Sequence, residues 1–119
     1  MKVAISSTGP SLQDRVDPRF GRAAGFLIVD LDSGASHYLD NSRAQQLGHG
    51  AGIQAAETVA RAGAQVLLTG QVGPKAFQAL NAAGVKIVQQ MEGLTVGQAL
   101  AEFKKLAVAA APVTSRAAR

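Results

Sequence analysis

Apolar positions along the chain fall first into short runs and then into helical stripes. Lys2–Ser6 is a brief β-type run, and Gly25–Leu31 (GFLIVDL) is a longer one whose consecutive apolar residues suit a strand covered on both faces. Asp32, Ser33 and Gly34 make a tight turn and Ala35–Leu39 returns as a third strand, so the second and third strands form a hairpin. From there helix and strand alternate. Ile53, Ala56, Val59 and Ala60 recur at helical spacing, and Gly63 stands where a left-handed C-terminal cap belongs. Gln65–Thr69 reads as a buried strand. Pro74 takes the first position of a second helix, with Phe77 and Leu80 facing the core and Gly84 closing it. Lys86–Gln89 supplies a fifth strand. Thr95 and Gln98 form a capping box ahead of a third helix, whose apolar stripe is Val96, Leu100, Phe103 and Ala107. After Pro112 the tail is expected to fray.

The strand-helix-strand units Ala35–Thr69 and Gln65–Gln89 require right-handed crossovers, which make the later strands parallel and cover them with helices. The class is α/β. With 119 residues, 47% of them hydrophobic, the chain has the size of one domain. It contains no cysteine, which excludes disulfides, thiolate zinc sites, cysteine-ligated iron-sulfur clusters and cysteine nucleophiles. The net charge of +4 forms no long basic stripe, since Arg15, Arg19 and Arg22 are interleaved with Asp14 and Asp17. Phe20, Phe26, Tyr38, Phe77 and Phe103 are the only aromatics and mostly look like core, so nucleic-acid binding is not expected. Met1–Ser7 is far shorter than a secretory apolar region or a membrane span of about 20 residues, so a cytoplasmic protein without a membrane partner is expected.

Chemistry is concentrated where strands hand over to helices. Ser6–Gly9 leaves the first strand, Gly48–Gly52 (GHGAG) opens the first helix, and Gly70–Gly73 (GQVG) leads into the second. In an open parallel sheet, ligands bind beyond the carboxyl ends of the strands. Glycines there admit a ligand to backbone amides, and helix N-termini favour negative charge, so an anion is the natural guest. Two phosphate motifs fail on inspection. Gly50–Ala55 fits a relaxed dinucleotide fingerprint but follows a loop, and no acidic residue ends Gln65–Thr69 to hold a ribose. In Gly70–Lys75 only two residues separate the glycines, and Ala76 stands where a P-loop needs a magnesium-binding hydroxyl.

Three stretches carry a family resemblance: Asp17-Pro18-Arg19-Phe20-Gly21-Arg22-Ala23; His49-Gly50-Ala51-Gly52 at the head of a helix; and Leu68–Phe77 followed by Ala83-Gly84-Val85-Lys86. In order and spacing they resemble the nitrogenase iron-molybdenum cofactor biosynthesis family, over about residues 1–107. The resemblance implies a three-layer α/β/α ribonuclease-H-like domain with a mixed five-stranded sheet, order 3-2-1-4-5 and strand 2 antiparallel. That order agrees with the residue reading, because it makes strands one and four neighbours whose connections leave in opposite directions. It also implies a metal-sulfur cluster-binding domain over residues 1–107, with 108–119 as a flexible tail. Members bind preformed metal-sulfur clusters or their precursors, and the related orange proteins hold a molybdenum-copper sulfide cluster without covalent protein ligands. A chain with no cysteine to bond iron is similar to the orange-protein type. A thiometallate brings its own sulfides and negative charge, leaving the protein to supply cations, amide donors and apolar walls.

The expected site therefore gathers Ser7 after the first strand, Arg19, Gly21 and Arg22 in the second loop, His49, Gly50, Gly52 and Ile53 at the first helix, and Gly70, Gln71, Gly73 and Pro74 before the second. Arg19 and Arg22 form a cationic rim in this reading; the competing one pairs them with Asp14 or Asp17. His49 either ligates metal, donates to a sulfide, or is merely solvated. His37 and Met91 read as structural. Ala23, Ile53 and Val72 are expected to pack against the cargo, and valine at Gly50 or Gly73 to block it and strain positive-φ turns. Asp30, Asp32 and Asp40 do not form a nuclease centre, since the first strand carries no acid. The expected function is a non-enzymatic, monomeric carrier or store of an anionic metal-sulfide cluster, molybdenum-copper sulfide or an iron-molybdenum cofactor precursor, exchanged with donor or acceptor proteins. The alternative is a small enzyme or sensor binding a phosphorylated or carboxylated metabolite at the same loops, disfavoured because no nucleophile-base or carboxylate pair is evident.

Overall fold

The first β-type run becomes the middle of the sheet. In the computed structural model, which describes the backbone of residues 1–110 and the side chains of residues 1–106, β1 (Lys2–Ser7) is buried from Val3 onward. It pairs antiparallel with β2 (Gly25–Asp30) and parallel with β4 (Val66–Leu68). β3 (Ser36–Asp40) closes on β2, and β5 (Lys86–Val88) on β4, giving the order β3-β2-β1-β4-β5 with β2 alone reversed. A five-stranded mixed sheet in this order is the α/β arrangement expected. The β2–β3 turn is held by the Asp30 carboxylate, which accepts the backbone N–H groups of Asp32 (2.9 Å) and Ser33 (3.4 Å), while Gly34 turns at φ 79°.

Helices cover both faces because side chains alternate along the strands. Ala4, Phe26, Ile28 and Leu67 point to one face, where α2 (Ala51–Arg61) and α3 (Pro74–Ala82) bury Ala55, Val59, Ala76 and Leu80 against them. Val3, Ile5, Leu27, Val29 and Leu68 point to the other, covered by Val96, Ala99, Leu100 and Phe103 of α4 (Val96–Ala110). Chain punctuation behaves as read. Gly63 and Gly84 follow α2 and α3 at φ 83° and 81°. Thr95 Oγ1 accepts the Gln98 N–H at 3.1 Å while Gln98 Oε1 accepts the Thr95 N–H at 2.9 Å, completing the capping box. Met91 is buried among the apolar residues under α4.

Two expectations change. A four-residue helix, α1 (Ser42–Gln45), precedes α2; it is too short to leave a periodic signal. Phe77 is not core: it is 38% exposed, because the buried stripe of α3 runs through Ala76 and Leu80 and the next residue lies a third of a turn away. α4 runs to Ala110, and the tail expected to fray after Pro112 lies outside the described residues, as does the side chain of Ala107.

Candidate functional site

β1 and β4 lie side by side, and the chain leaving their carboxyl ends departs in opposite directions along the sheet, toward β2 from one and toward β5 from the other. The segment Asp17–Arg22 bridges this divide. Asp17 is a buried carboxylate whose oxygens accept the N–H groups of Arg19 (3.2 Å) and Ala24 (3.3 Å). Ser6 Oγ donates to the Asp17 carbonyl at 2.9 Å and shares a 2.8 Å hydrogen bond with Thr69 Oγ1, tying the segment to the ends of both strands. The Pro18 carbonyl accepts Gln71 N–H at 2.8 Å, and Phe20 N–H reaches the Gln71 carbonyl at 3.1 Å. Phe20, 1% exposed, anchors the segment against Phe26 with ring centroids 5.3 Å apart.

This anchoring delivers Gly21 onto the start of α2. A Cβ on Gly21 would lie 2.9 Å from both Gly52 N and Gly52 Cα, and a Cβ on Gly52 would lie 3.0 Å from the Ala76 Cβ. Gly21 is therefore stacked on the Gly52 backbone and Gly52 on the Ala76 methyl, which brings the starts of α2 and α3 together beneath the Asp17–Arg22 turn.

Between them lies a groove of about 410 Å³, lined by Gly21, Arg22, Gly50, Ala51, Gly52, Ile53, Gly73, Pro74, Lys75 and Ala76. Gly50, at φ 80°, is the N-cap of α2, and Gly73, extended at φ −69°, is the N-cap of α3. Among the described residues neither start has a side-chain cap or an acidic residue in its first turn. The first-turn N–H groups of Ala51, Gly52, Ile53, Lys75 and Ala76 consequently have no partner within their helices. Two cations line the groove and no carboxylate does. Helix-end dipoles, free amides and cations all favour a negative guest.

Arg22 also builds the wall. Its Nη1 donates to the carbonyls of Gln45 (2.8 Å) and Leu47 (2.7 Å), and Gln45 Nε2 returns a bond to the Arg22 carbonyl at 3.0 Å. It thus holds the α1–α2 loop instead of forming an ion pair with Asp14 or Asp17; Asp14 accepts the Ser11 N–H at 2.8 Å. His49, exposed in that loop between Gly48 and Gly50, stands beside the groove without lining it.

Of the anticipated residues, the groove unites Gly21, Arg22, Gly50, Gly52, Ile53, Gly73 and Pro74. Ser7 is fully buried, its hydroxyl donating to the Gly9 carbonyl. Gly70 and Gln71 line a separate depression of about 450 Å³ with Gln89, Gln90 and Glu92. Gly70 is needed for packing, since an added Cβ would fall on the Pro18 backbone. Arg19 is exposed and lines neither cavity. Of the three apolar walls expected, only Ile53 reaches the groove; Ala23 is fully buried in the core and Val72 packs against that core. Gly73 carries no positive φ and has open space around its α-carbon, so strain from valine is confined to Gly50. Sequence reading missed Ala51, Lys75 and Ala76. Lys75 had a signal in its position directly after Gly73-Pro74, in the first turn of a helix. Among the described residues there is no group of three or more histidines and acids able to hold a metal ion, and His37 lies apart, on β3.

The family model for dinitrogenase iron-molybdenum cofactor matches residues 1–106. An uncharacterised protein of Methanocaldococcus jannaschii is 28% identical over 90 residues, 73% of this chain and 72% of its own. Among solved structures, the apo form of the orange protein from Desulfovibrio gigas superposes with a TM-score of 0.86 at 58% identity, covering 87% of each chain. The NMR structure of a putative NifB protein from Thermotoga gives 0.76 at 36% identity, again over 87% of each. The chain therefore belongs to the dinitrogenase iron-molybdenum cofactor family, as an orange-protein-like member.

Proposed function

We propose that this protein is a non-enzymatic carrier or store of an anionic metal-sulfide cluster, held without covalent protein bonds in the groove between the starts of α2 and α3. The observation that carries the reading is the convergence of two uncapped helix starts on a groove lined by Arg22 and Lys75 and by no carboxylate. A chain without cysteine cannot bond cluster iron through thiolate, so a cargo that brings its own sulfides suits it best. Molybdenum-copper sulfide is the assigned cargo, and an iron-molybdenum cofactor precursor shares the same requirements of charge and sulfur. The first-turn amides donate to cluster sulfides, the two cations balance its charge, and Ile53 and Pro74 shield one side from water. His49 serves as a donor at the rim, not as the principal ligand.

Residues 1–107 form the cluster-binding domain, which we class as ribonuclease-H-like, working in the cytoplasm as a monomer between a cluster donor and an acceptor. Among the described residues no helix is long and apolar enough to cross a membrane. The test is reconstitution. Apo protein mixed with copper and tetrathiomolybdate together is expected to co-elute with both metals on gel filtration and to gain intense visible absorption, while either metal source alone passes through. Tight stoichiometric binding of copper salts alone, with the mixed sulfide unbound, would overturn the reading.

A further inference from the structure

Of the six large apolar side chains exposed among the described residues, three stand on the elements that form or border the groove: Leu47 (39%), Ile53 (40%) and Phe77 (38%). Ile53 is part of the groove wall. Phe77 follows Pro74, another wall residue, by three positions on α3 and so continues the same side of that helix by one turn. Leu47 belongs to the loop held by Arg22 and shares a depression of about 180 Å³ with Arg43 and Gln54, the neighbour of Ile53 on α2. Cations are interleaved with these side chains: Arg22, Arg43 and Lys75. The acids near by are Glu57, one turn along α2 from Ile53, and Asp40, which accepts the Ser42 hydroxyl at 2.6 Å.

An apolar patch mixed with positive charge is complementary to one kind of partner surface, apolar side chains flanked by carboxylates. We propose that this face docks an acidic, leucine-bearing helical segment of another protein, whose apolar side chains cover Leu47 and Phe77 and whose carboxylates face Arg43 and Lys75. The partner's role as donor or acceptor of the cargo rests on the function proposed above; the docking surface does not.

The experiment uses apo protein, so its failure leaves the cluster reading standing. The probe is a synthetic amphipathic peptide of about 14 residues with leucines on one face and glutamates on the other. The control peptide has lysines in place of the glutamates. Titration followed by amide NMR is expected to move the signals of Leu47, Gln54 and Phe77 for the glutamate peptide alone. Arg43→Glu and Phe77→Ser, both outside the groove lining, are each expected to weaken its binding about tenfold while leaving the retention of copper-thiomolybdate unchanged. Equal binding of the lysine peptide, or no response at these amides, overturns the proposal. So does a dimer in sedimentation equilibrium that Phe77→Ser dissolves, because the face then belongs to a second copy of the chain.

Discussion

Gly21 has no room for even a methyl group, and the groove depends on that. Its replacement by alanine is expected to push the Asp17–Arg22 turn off α2, costing about 1–3 kcal/mol in urea denaturation, because the opposing atoms are Gly52 backbone. Gly48→Ala, which meets nothing within 4 Å, should leave the midpoint unchanged. A second residue-scale expectation concerns pH. Hydrogen bonds from the Asp32 and then the Ser33 amide hold the Asp30 carboxyl below its ordinary value. Because the shift is downward, its contribution is present above the ordinary carboxylate range and is lost as pH falls through Asp30's own lower value. The Asp32 and Ser33 amide signals should shift in that acid window, and Asp30→Asn should abolish the step. At this scale the sequence was legible unevenly. Glycines in loops were read as sites of ligand approach, and Gly50 and Gly73 do line the groove; Gly70 instead admits the Pro18 backbone, a contact between segments 52 residues apart that no local pattern encodes.

The two helix starts frame the groove, and their caps differ. Gly50 sits at φ 80°, where a β-branched residue is strained, whereas Gly73 is extended and open. Gly73→Val should therefore fold like the parent protein by circular dichroism while crowding the groove and weakening cluster retention several-fold; Gly50→Val should lose retention and about 1–3 kcal/mol of stability as well. On the opposite face, Thr95→Ala removes one half of the capping box and should cost about 1 kcal/mol. Elements with strong punctuation, such as Thr95 to Gln98, Gly63 and Pro74, were readable from the chain. α1 was not, since four residues make barely one turn, and Phe77 misled because hydrophobicity alone does not say which side of a helix is covered.

For the whole molecule, topology was the most legible level: crossover handedness made the later strands parallel, and the family resemblance placed β1 beside β4. The groove was less so. It arises where Gly21 of a loop meets Gly52 of α2 and Ala76 of α3, and only the fold brings Lys75 into it while leaving Arg19 outside. On the function proposed above, the cargo is held by charge. Cluster retention should fall as ionic strength rises from about 0.05 to 0.5 M, and Lys75→Glu should reduce it more than Arg19→Ala. Equal effects of the two substitutions would place the cargo elsewhere.

Amide NMR spectra of the apo and copper-thiomolybdate-reconstituted protein test the location of the cargo most directly. The account predicts the largest changes at Ala51, Gly52, Lys75 and Ala76, the free amides of the two helix starts, with Gln89 and Gln90 unmoved. Changes concentrated at Gln71, Gln89 and Gln90, around the second depression, with the helix starts undisturbed, would contradict it.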